Sequence, residues 1–161
     1  DRAPHAVKLS VKYGDDTKSV VVVPLHMKSN YGGAGPAKRV RYLEAVQLAA
    51  QLGAVKQHFQ DESLILIGDT NVLSAEEKAV QVFEEHGLVD LNARDAATYP
   101  GYNGNPFDRA FVASGRKEFR YTRQYVMQSS DVALHDKFLS DHFMIKISVK
   151  LFVDESDPRN E

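Results

Sequence analysis

The sequence predicts an α/β fold, with a mixed and largely antiparallel β-sheet flanked by helices. Strand-like segments recur along the chain, one long helical pattern separates the second strand from the third, and turn residues mark the boundaries. The chain has 161 residues, of which 43% are hydrophobic, and this is enough for one buried core. We therefore expect one domain over residues 1–153 and a polar tail over residues 154–161.

Two strands are predicted at the start of the chain. Residues 6–13 alternate apolar and polar side chains with a period of two, which is the pattern of a half-buried strand. Residues 19–27 form a nearly continuous apolar run, which is typical of a strand covered on both faces. Pro24 removes one backbone donor from that run, so it predicts an edge, a bulge or the end of regular pairing just before His26.

A long helix is predicted next. Residues 30–36 are rich in glycine, and Pro36 stands where a first-turn proline is tolerated, ahead of a helix over about residues 37–59. Four apolar side chains at helical spacing define its buried stripe: Leu48, Leu52, Val55 and Phe59. Arg41 lies on the same stripe, nearer the start of the helix.

A buried strand and a second helix follow. Residues 63–67 are continuously apolar after Ser63 and end in the turn Gly68-Asp69-Thr70-Asn71, which predicts a strand closed by a turn. Ser74 followed by Glu77 resembles a capping box, so we expect a helix that opens there and runs through about residue 86.

The last third of the chain predicts a long loop and three strands. Residues 92–107 are rich in glycine, proline, asparagine and tyrosine, and a loop of this length is uncommon without a functional reason. Strands are expected at about residues 109–113, 120–127 and 142–152.

The composition restricts the kinds of function. Basic and acidic residues number 20 and 22 and are mixed along the chain, so the net charge of -2 gives no overall signature of a non-specific nucleic-acid binder. Cysteine is absent, which excludes disulfides, thiolate metal ligands and cysteine nucleophiles. Any bound metal must therefore be held by oxygen or imidazole ligands. No apolar run has the length needed to span a bilayer.

Polar side chains stand at the ends of four predicted strands: His26, Asp69 with Asn71, Asp108, and Asp141 with His142. The first two sites follow strands and the last two precede strands, so antiparallel pairing would bring all four to one edge of a single sheet. Carboxylates, imidazoles and a carboxamide together suit a hard cation and phosphate oxygens better than a zinc cage. The other histidines, among them His135, have no motif around them and are interpreted as surface or structural residues.

Four short segments resemble motifs of the endonuclease/exonuclease/phosphatase family. The segment Pro-Leu-His26-Met-Lys28-Ser resembles the His-Leu-Lys-Ser segment of its bacterial nuclease-like members, and Gly-Asp69-Thr-Asn71 resembles its Gly-Asp-x-Asn motif. The segment Asp108-Arg-Ala-Phe resembles its Asp-x-x-Phe strand, and the segment at residues 140–142 is similar to its terminal Ser-Asp-His motif. Each motif is weak alone, but the four occur in the family order across nearly the whole chain.

The resemblance implies a metal-dependent hydrolase of phosphodiesters or phosphomonoesters that uses Mg²⁺, with Mn²⁺ or Ca²⁺ as alternatives. It implies five catalytic residues: His26, Asp69, Asn71, Asp108 and His142. Asp69 would orient or deprotonate the attacking water, and Asn71 would donate to a phosphate oxygen. Asp108 would fix the tautomer of His142, as carboxylates do for catalytic histidines.

The resemblance also implies contacts to metal and phosphate. Asp69 and Asp141 would ligate the metal, while Asn71, Lys28 and Arg41 would bind substrate phosphate. An alternative for Arg41 is that it braces the active-site edge from beneath.

The chain departs from the family pattern in one respect. Family members are usually longer and form a four-layer α/β sandwich, whose first half supplies the principal metal-binding glutamate, whereas no glutamate precedes Glu44 here. We therefore expect the chain to be the C-terminal portion of such a domain and to be inactive by itself. We also expect the exposed face of its sheet to bind the missing N-terminal half or a second copy of the chain.

The substrate class stays open at this point. The nuclease-like segment around Lys28 favours nucleic acid over lipid, and the alternatives are a phospholipid or inositol phosphate phosphoesterase, or a non-catalytic binding module on the same scaffold. The resemblance implies a secreted or periplasmic location, whereas the sequence itself defines no compartment.

Overall fold

The computed structural model describes residues 5–101 and 104–152, so the predicted polar tail lies outside the described residues. A five-stranded sheet forms the body of the fold. Its strands are β1 (Val7–Tyr13), β2 (Asp16–His26), β3 (Leu64–Asp69), β4 (Leu88–Asp90) and β5 (Asp108–Ala113), and their order in the sheet is β1-β2-β3-β5-β4. The β2–β3 pair is parallel and the other pairs are antiparallel, which confirms the predicted fold class.

The position of Pro24 follows from where β1 stops. β1 pairs with β2 only as far as Val22, while β2 continues beside β3 to His26. Pro24 therefore lies on a stretch of β2 that the described residues pair on one side only, and there a missing backbone donor costs little. Of the three alternatives predicted for this proline, the edge is the one observed.

The parallel β2–β3 pair requires a crossover, which the helix α1 (Ala34–Phe59) provides. The helix begins slightly earlier than predicted, with Pro36 inside its first turn. Its buried side chains, at steps of three or four residues, are Ala37, Arg41, Ala45, Ala49 and Leu52. Three of them are alanines, so the helix backbone can lie close to the neighbouring elements.

The second helix, α2 (Lys78–Glu85), contacts α1 and packs on the sheet, where Phe83 lies 5.0 Å from Phe111 of β5 between ring centroids. The predicted capping box is wrong. Glu77 stands at the N-cap without a capping hydrogen bond, because its carboxylate is bonded to Arg41 instead. The helix therefore begins later than the sequence pattern indicates.

A second, two-stranded sheet consists of β6 (Gln124–Met127) and β7 (Met144–Ile147), joined through the helix α3 (Val132–Phe138). The strands predicted at 120–127 and 142–152 are thus shorter than expected. The expectation that all four sites share a single sheet is also wrong. β5 pairs with β3 on one side and, from Phe111 to Ala113, with β4 on the other. Beside the first half of β5, the Gln124 side chain accepts from the Ala110 N–H and donates to the Asp108 carbonyl, while β7 pairs with β6.

Every residue of β1 is exposed, so the half-burial predicted for this strand is not observed. Four apolar side chains alternate along it and are 47% to 74% exposed, and we call them the β1 stripe: Val7, Leu9, Val11 and Tyr13. Within the same described residues, no helix has the length and apolar character needed to cross a membrane.

Candidate active site

Three polar side chains stand in a row at one end of the main sheet. His26 ends β2, Asp69 ends β3 and Asp108 begins β5. The register pairs His26 with Asp69, and Asp69 with Asp108. Residues paired across neighbouring strands project from the same face of a sheet, so the three side chains share one face. The predicted gathering of strand ends at one edge is confirmed for these three residues.

His142 joins this row from the second sheet, where it lies just before β7. Its Nδ1 is 2.7 Å from Oδ2 of Asp108, which confirms the predicted hydrogen bond between them. The rings of Tyr99 and Phe107 lie 5.4 Å and 6.1 Å from the His142 ring, between centroids. Nε2 of His135 lies 3.0 Å from the His142 carbonyl oxygen and donates to it. Since Nδ1 is engaged by Asp108, Nε2 is the ring nitrogen of His142 that remains for a substrate.

The turn after β3 fixes the carboxylate of Asp69. The backbone N–H of Asn71 donates to Oδ1 at 2.8 Å, and its Nδ2 donates to Oδ2 at 2.9 Å. Nδ2 also donates to the carbonyl of Met27 at 3.2 Å. The Asn71 carboxamide thus orients Asp69, and the predicted contact to a phosphate oxygen would require one of these bonds to be exchanged.

The glycine before Asp69 is required by the close approach of two strands. Gly68 has φ +146°, and a Cβ at this position would lie 2.2 Å from the carbonyl oxygen of Leu25 on β2. A side chain there would therefore push β3 away from β2 where the site residues begin.

Burial raises the pKa of the Asp69 carboxyl above its ordinary value. The hydrogen bond from Asn71 opposes this rise, and the neighbouring Asp108 carboxylate adds to it. A carboxylate whose pKa is closer to neutral is a better proton acceptor for catalysis near pH 7. The electrostatics of Asp69 therefore suit the role of a general base.

The hydrogen bond to Asp108 raises the pKa of the His142 imidazole. Burial lowers this pKa, while the charges of Asp108, Asp69 and Asp141 raise it further. A larger fraction of His142 is consequently protonated near neutral pH, which favours donation to a phosphate or leaving-group oxygen.

His26 lies at the open side of the row. Its Nε2 is 3.8 Å from Oδ2 of Asp69, and 49% of its side chain is exposed, against 24% for Asp69. This distance is too long for a direct hydrogen bond but leaves the imidazole beside the carboxylate.

Asp69, Asp108 and His142 form a group that could hold a metal ion. One ligand atom from each residue lies within 4.8 Å of the others, and all three side chains are half-buried. Two carboxylate oxygens and one imidazole nitrogen fit a divalent cation such as Mg²⁺ or Mn²⁺. Asp141, which the sequence predicts as a ligand, is exposed and lies outside this group.

Lys28 and Arg41, the two cationic residues predicted to bind phosphate, have different environments. The Lys28 side chain is exposed just after β2, so it is accessible to a substrate. Arg41 has no exposed surface, and its guanidinium is bonded to Glu77, Asn30 and the Lys28 carbonyl. A phosphate contact does not fit this placement, and the bracing alternative does.

Sequence reasoning does not find several residues around the site. Phe107 comes from the long loop, whose path no sequence pattern defines, and His135 lies on α3, which is not predicted. The spacing of Glu77 indicates only a capping residue. Asn30 precedes a glycine-rich segment, and that signal indicates a loop without any partner for the asparagine.

Comparisons with known proteins show what this geometry is similar to. Neither the protein-family models nor the curated proteins include a match to this chain. Solved structures do match. An endonuclease/exonuclease/phosphatase family protein from Bacteroides thetaiotaomicron has a TM-score of 0.62 and 16% identity over 92% of this chain. A mannosyl-6-phosphatase from the same organism has a TM-score of 0.60 and 18% identity over 90%.

A third structure is a Staphylococcus aureus beta toxin mutant with bound magnesium ions, with a TM-score of 0.60 and 17% identity over 91% of this chain. The chain spans 56% to 58% of the length of these three proteins. The likeness shows that the described residues adopt part of the endonuclease/exonuclease/phosphatase fold. The resemblance predicted from the four sequence motifs is thereby confirmed at the level of the fold.

Proposed function

We propose that this chain carries the proton-transfer residues of a metal-dependent phosphoesterase, and that the substrate is a phosphodiester in nucleic acid. The observation that carries the proposal is the Asp108–His142 pair, 2.7 Å apart, whose ligand atoms lie within 4.8 Å of Asp69. Hydrolysis of a phosphate ester requires an oriented water, a donor to the phosphate or leaving oxygen, and neutralisation of developing charge. The site offers side chains for each requirement.

Asp69 accepts the proton of the attacking water. Its carboxylate is held by two hydrogen bonds from Asn71, so its orientation is set before a substrate arrives. Burial raises its pKa, which moves its basicity in the direction that a general base near neutral pH requires.

His142 donates through Nε2 to a phosphate or leaving-group oxygen. Asp108 holds the proton on Nδ1 and stabilises the imidazolium, which is the role of the carboxylate in other Asp–His pairs. The aromatic rings of Tyr99 and Phe107 restrict rotation of the imidazole.

Asp69 is the first candidate to hold the cation, with Asp108 as the nearest further carboxylate. When bound, a divalent cation supplies Lewis-acid neutralisation of charge on the phosphate oxygens. His26, which is exposed beside Asp69, and Lys28, which is exposed two residues later, supply further contacts to the phosphate.

The cation shell needs more donors than these residues provide. Mg²⁺ takes roughly six oxygen ligands and gives up its waters reluctantly. Because both ring nitrogens of His142 have other roles here, only two carboxylates remain for the cation, and such a site binds it weakly. We propose that a carboxylate from outside the described residues completes the shell. Without it, we expect activity to fall by several orders of magnitude, because each ~1.4 kcal/mol of lost metal stabilisation is a factor of ten.

The choice of substrate rests on the segment around His26 and Lys28. His26 and Lys28 are exposed at the open side of the site, where there is room for a nucleic-acid strand. A phospholipid or inositol phosphate substrate is the second candidate, because these esters present the same phosphate to the site. The name of the similar mannosyl-6-phosphatase indicates a phosphate ester other than nucleic acid for that protein. A non-catalytic module would bind phosphate without turnover.

The test compares this chain with a longer protein that contains it. Both are incubated with bis-p-nitrophenyl phosphate, a fluorescent DNA duplex and phosphatidylcholine vesicles, with Mg²⁺ or with a chelator. We expect the longer protein to hydrolyse DNA in a chelator-sensitive reaction and this chain alone to show no appreciable turnover.

Two variants control the test. Asp69→Ala should abolish hydrolysis, whereas Asp61→Ala removes a part-buried aspartate at the other end of β3 and should leave it intact. If both this chain and the longer protein bind phosphate without hydrolysing any substrate, the result would support a non-catalytic binding module. Robust turnover by this chain alone, lost in Asp69→Ala, would show that the site is complete without a further carboxylate.

A further inference from the structure

A buried ion pair lies directly behind the turn that carries the candidate base. Arg41 of α1 has a fully buried side chain, and 4% of the Glu77 side chain is exposed. Nε and Nη2 of Arg41 donate to both carboxylate oxygens of Glu77 at 2.9–3.1 Å. Burying such a pair costs desolvation energy, so the pair by itself is weak evidence for stability. Its contacts to the site are more informative.

The remaining hydrogen bonds of this pair reach both backbone segments that flank the site. Nη1 of Arg41 donates to the carbonyl of Lys28 at 3.0 Å and to Oδ1 of Asn30 at 3.1 Å. Oε1 of Glu77 accepts from the backbone N–H of Leu73 at 2.8 Å. The pair thus ties the segment after β2 to the segment after β3.

Asn30 extends these contacts to the candidate site itself. Its Nδ2 donates to the backbone carbonyl of Asn71 at 2.8 Å. Asn71 has φ +54°, a left-handed conformation that is uncommon for residues other than glycine and most frequent for asparagine and aspartate. In this conformation both its backbone N–H and its Nδ2 donate to the Asp69 carboxylate.

We propose that Arg41, Glu77 and Asn30 are positioning residues that hold Asn71 in its left-handed conformation, with both of its donors directed at Asp69. None of the three touches the reacting atoms. The assignment of Asp69 as the reacting carboxylate rests on the proposed function, whereas the brace itself is a property of the folded chain. The carboxamide of Asn30 connects the Arg41–Glu77 pair to Asn71, because it accepts from Arg41 and donates to the Asn71 carbonyl.

The decisive variant is Asn30→Asp. It preserves the size of the side chain and the acceptor that faces Arg41, but it removes the donor to the Asn71 carbonyl. The measurement is amide hydrogen exchange by NMR on the full chain, at the Asn71 N–H that donates to Asp69. We expect this N–H to exchange roughly tenfold faster in the variant, which is the effect of losing one net hydrogen bond.

The N–H of Leu66, in the middle of β3, is the internal reference. If Asn30 only stabilised the whole fold, its substitution would accelerate exchange at Asn71 and Leu66 alike. Loss of the brace should accelerate exchange at Asn71 alone. Arg41→Lys should reproduce the local effect, since a lysine cannot bond Glu77, Asn30 and a carbonyl together.

Glu118→Gln is the matched control. Glu118 is also a part-buried carboxylate, bonded to Ser63 and Arg116 near the start of β3, away from the site. The Glu118→Gln variant should leave the ratio of the Asn71 and Leu66 exchange rates unchanged, even if the melting temperature falls. Unchanged Asn71 exchange in Asn30→Asp, or equal acceleration at Leu66, would overturn the proposal. An absence of phosphoesterase activity in the longer protein would refute the proposed function and leave this measurement valid.

Discussion

Asp108 Oδ2 lies 2.7 Å from Nδ1 of His142, although the two residues are 34 positions apart and belong to different parts of the fold. Asp108 begins β5 and is placed by regular pairing with β3. His142 lies in a turn, where its backbone N–H donates to Ser140 Oγ instead of to a neighbouring strand. The contact therefore joins a regular element to a less regular one, and it decides how the imidazole faces Asp69.

Asp108→Asn is expected to lower the pKa of His142. The hydrogen bond to the Asp108 carboxylate is the main cause that raises this pKa, and asparagine removes the charge while it preserves the shape. The measurement is an NMR titration of the His142 ring protons in both proteins. Where hydrolysis is measurable, we expect the variant to lose about 10- to 100-fold in rate, as for other supporting carboxylates. A His142 pKa that is equal in both proteins would contradict the assignment.

The same pair predicts a pH dependence of stability. Because the pKa of His142 is raised above its ordinary 6.5, the folded chain binds this proton more tightly than the unfolded chain. This contribution is fully present below about pH 6.5 and is lost as the pH rises through the folded pKa. We expect the free energy of unfolding in urea to fall more between pH 6 and pH 8 in the wild type than in His142→Gln. Since the other histidines are common to both proteins, parallel pH profiles would disprove the linkage.

The amino-acid pattern predicts four of the five strands of the main sheet and the helices α1 and α2, but it does not predict β4 or α3. The period-two pattern of residues 6–13 predicts β1, although every residue of that strand is exposed. The apolar run of residues 19–27 predicts β2, most of whose residues from Val20 onward are buried. The turn at Asp69 and Asn71 is equally visible, since glycine and asparagine are needed there for backbone reasons. These local signals place His26 and Asp69 correctly at strand ends.

The wrong predictions concern residues whose contacts are made with partners far away in the sequence. Glu77 has the spacing of a capping residue, yet its carboxylate is bonded to the buried guanidinium of Arg41, which is 36 positions earlier in the chain. The site at His142 is expected on the main sheet because no local pattern reveals that β5 already has two neighbours. The long loop likewise gives no signal for the packing of Tyr99 against the imidazole.

Gly68→Ala is expected to destabilise the chain by about 2–4 kcal/mol, a cost typical of steric strain in a special backbone conformation. The new Cβ would lie 2.2 Å from the Leu25 carbonyl oxygen, and φ +146° is unfavourable for alanine. Gly53→Ala is the matched control, since Gly53 lies in α1 and a Cβ added there would meet no atom within 4 Å. It should stabilise the chain by roughly 0.5–1 kcal/mol through helix propensity. Urea unfolding curves give the change in the free energy of unfolding for each variant. Similar changes for the two substitutions would contradict the close approach of β2 and β3.

The last prediction concerns the β1 stripe, whose side chains Leu9 and Val11 are 51% and 47% exposed. Apolar side chains that alternate along one face of an edge strand favour association with another surface, because monomers rarely expose large apolar patches. We expect the chain to self-associate through this stripe when nothing else covers it, and Leu9→Lys to shift it toward the monomer. Ser10→Lys is the control, since it adds the same charge on the opposite face of β1 and should leave association unchanged. Sedimentation velocity over a range of concentrations measures both variants. A wild-type chain that stays monomeric throughout that range, or equal effects of the two lysines, would show that the stripe does not mediate association.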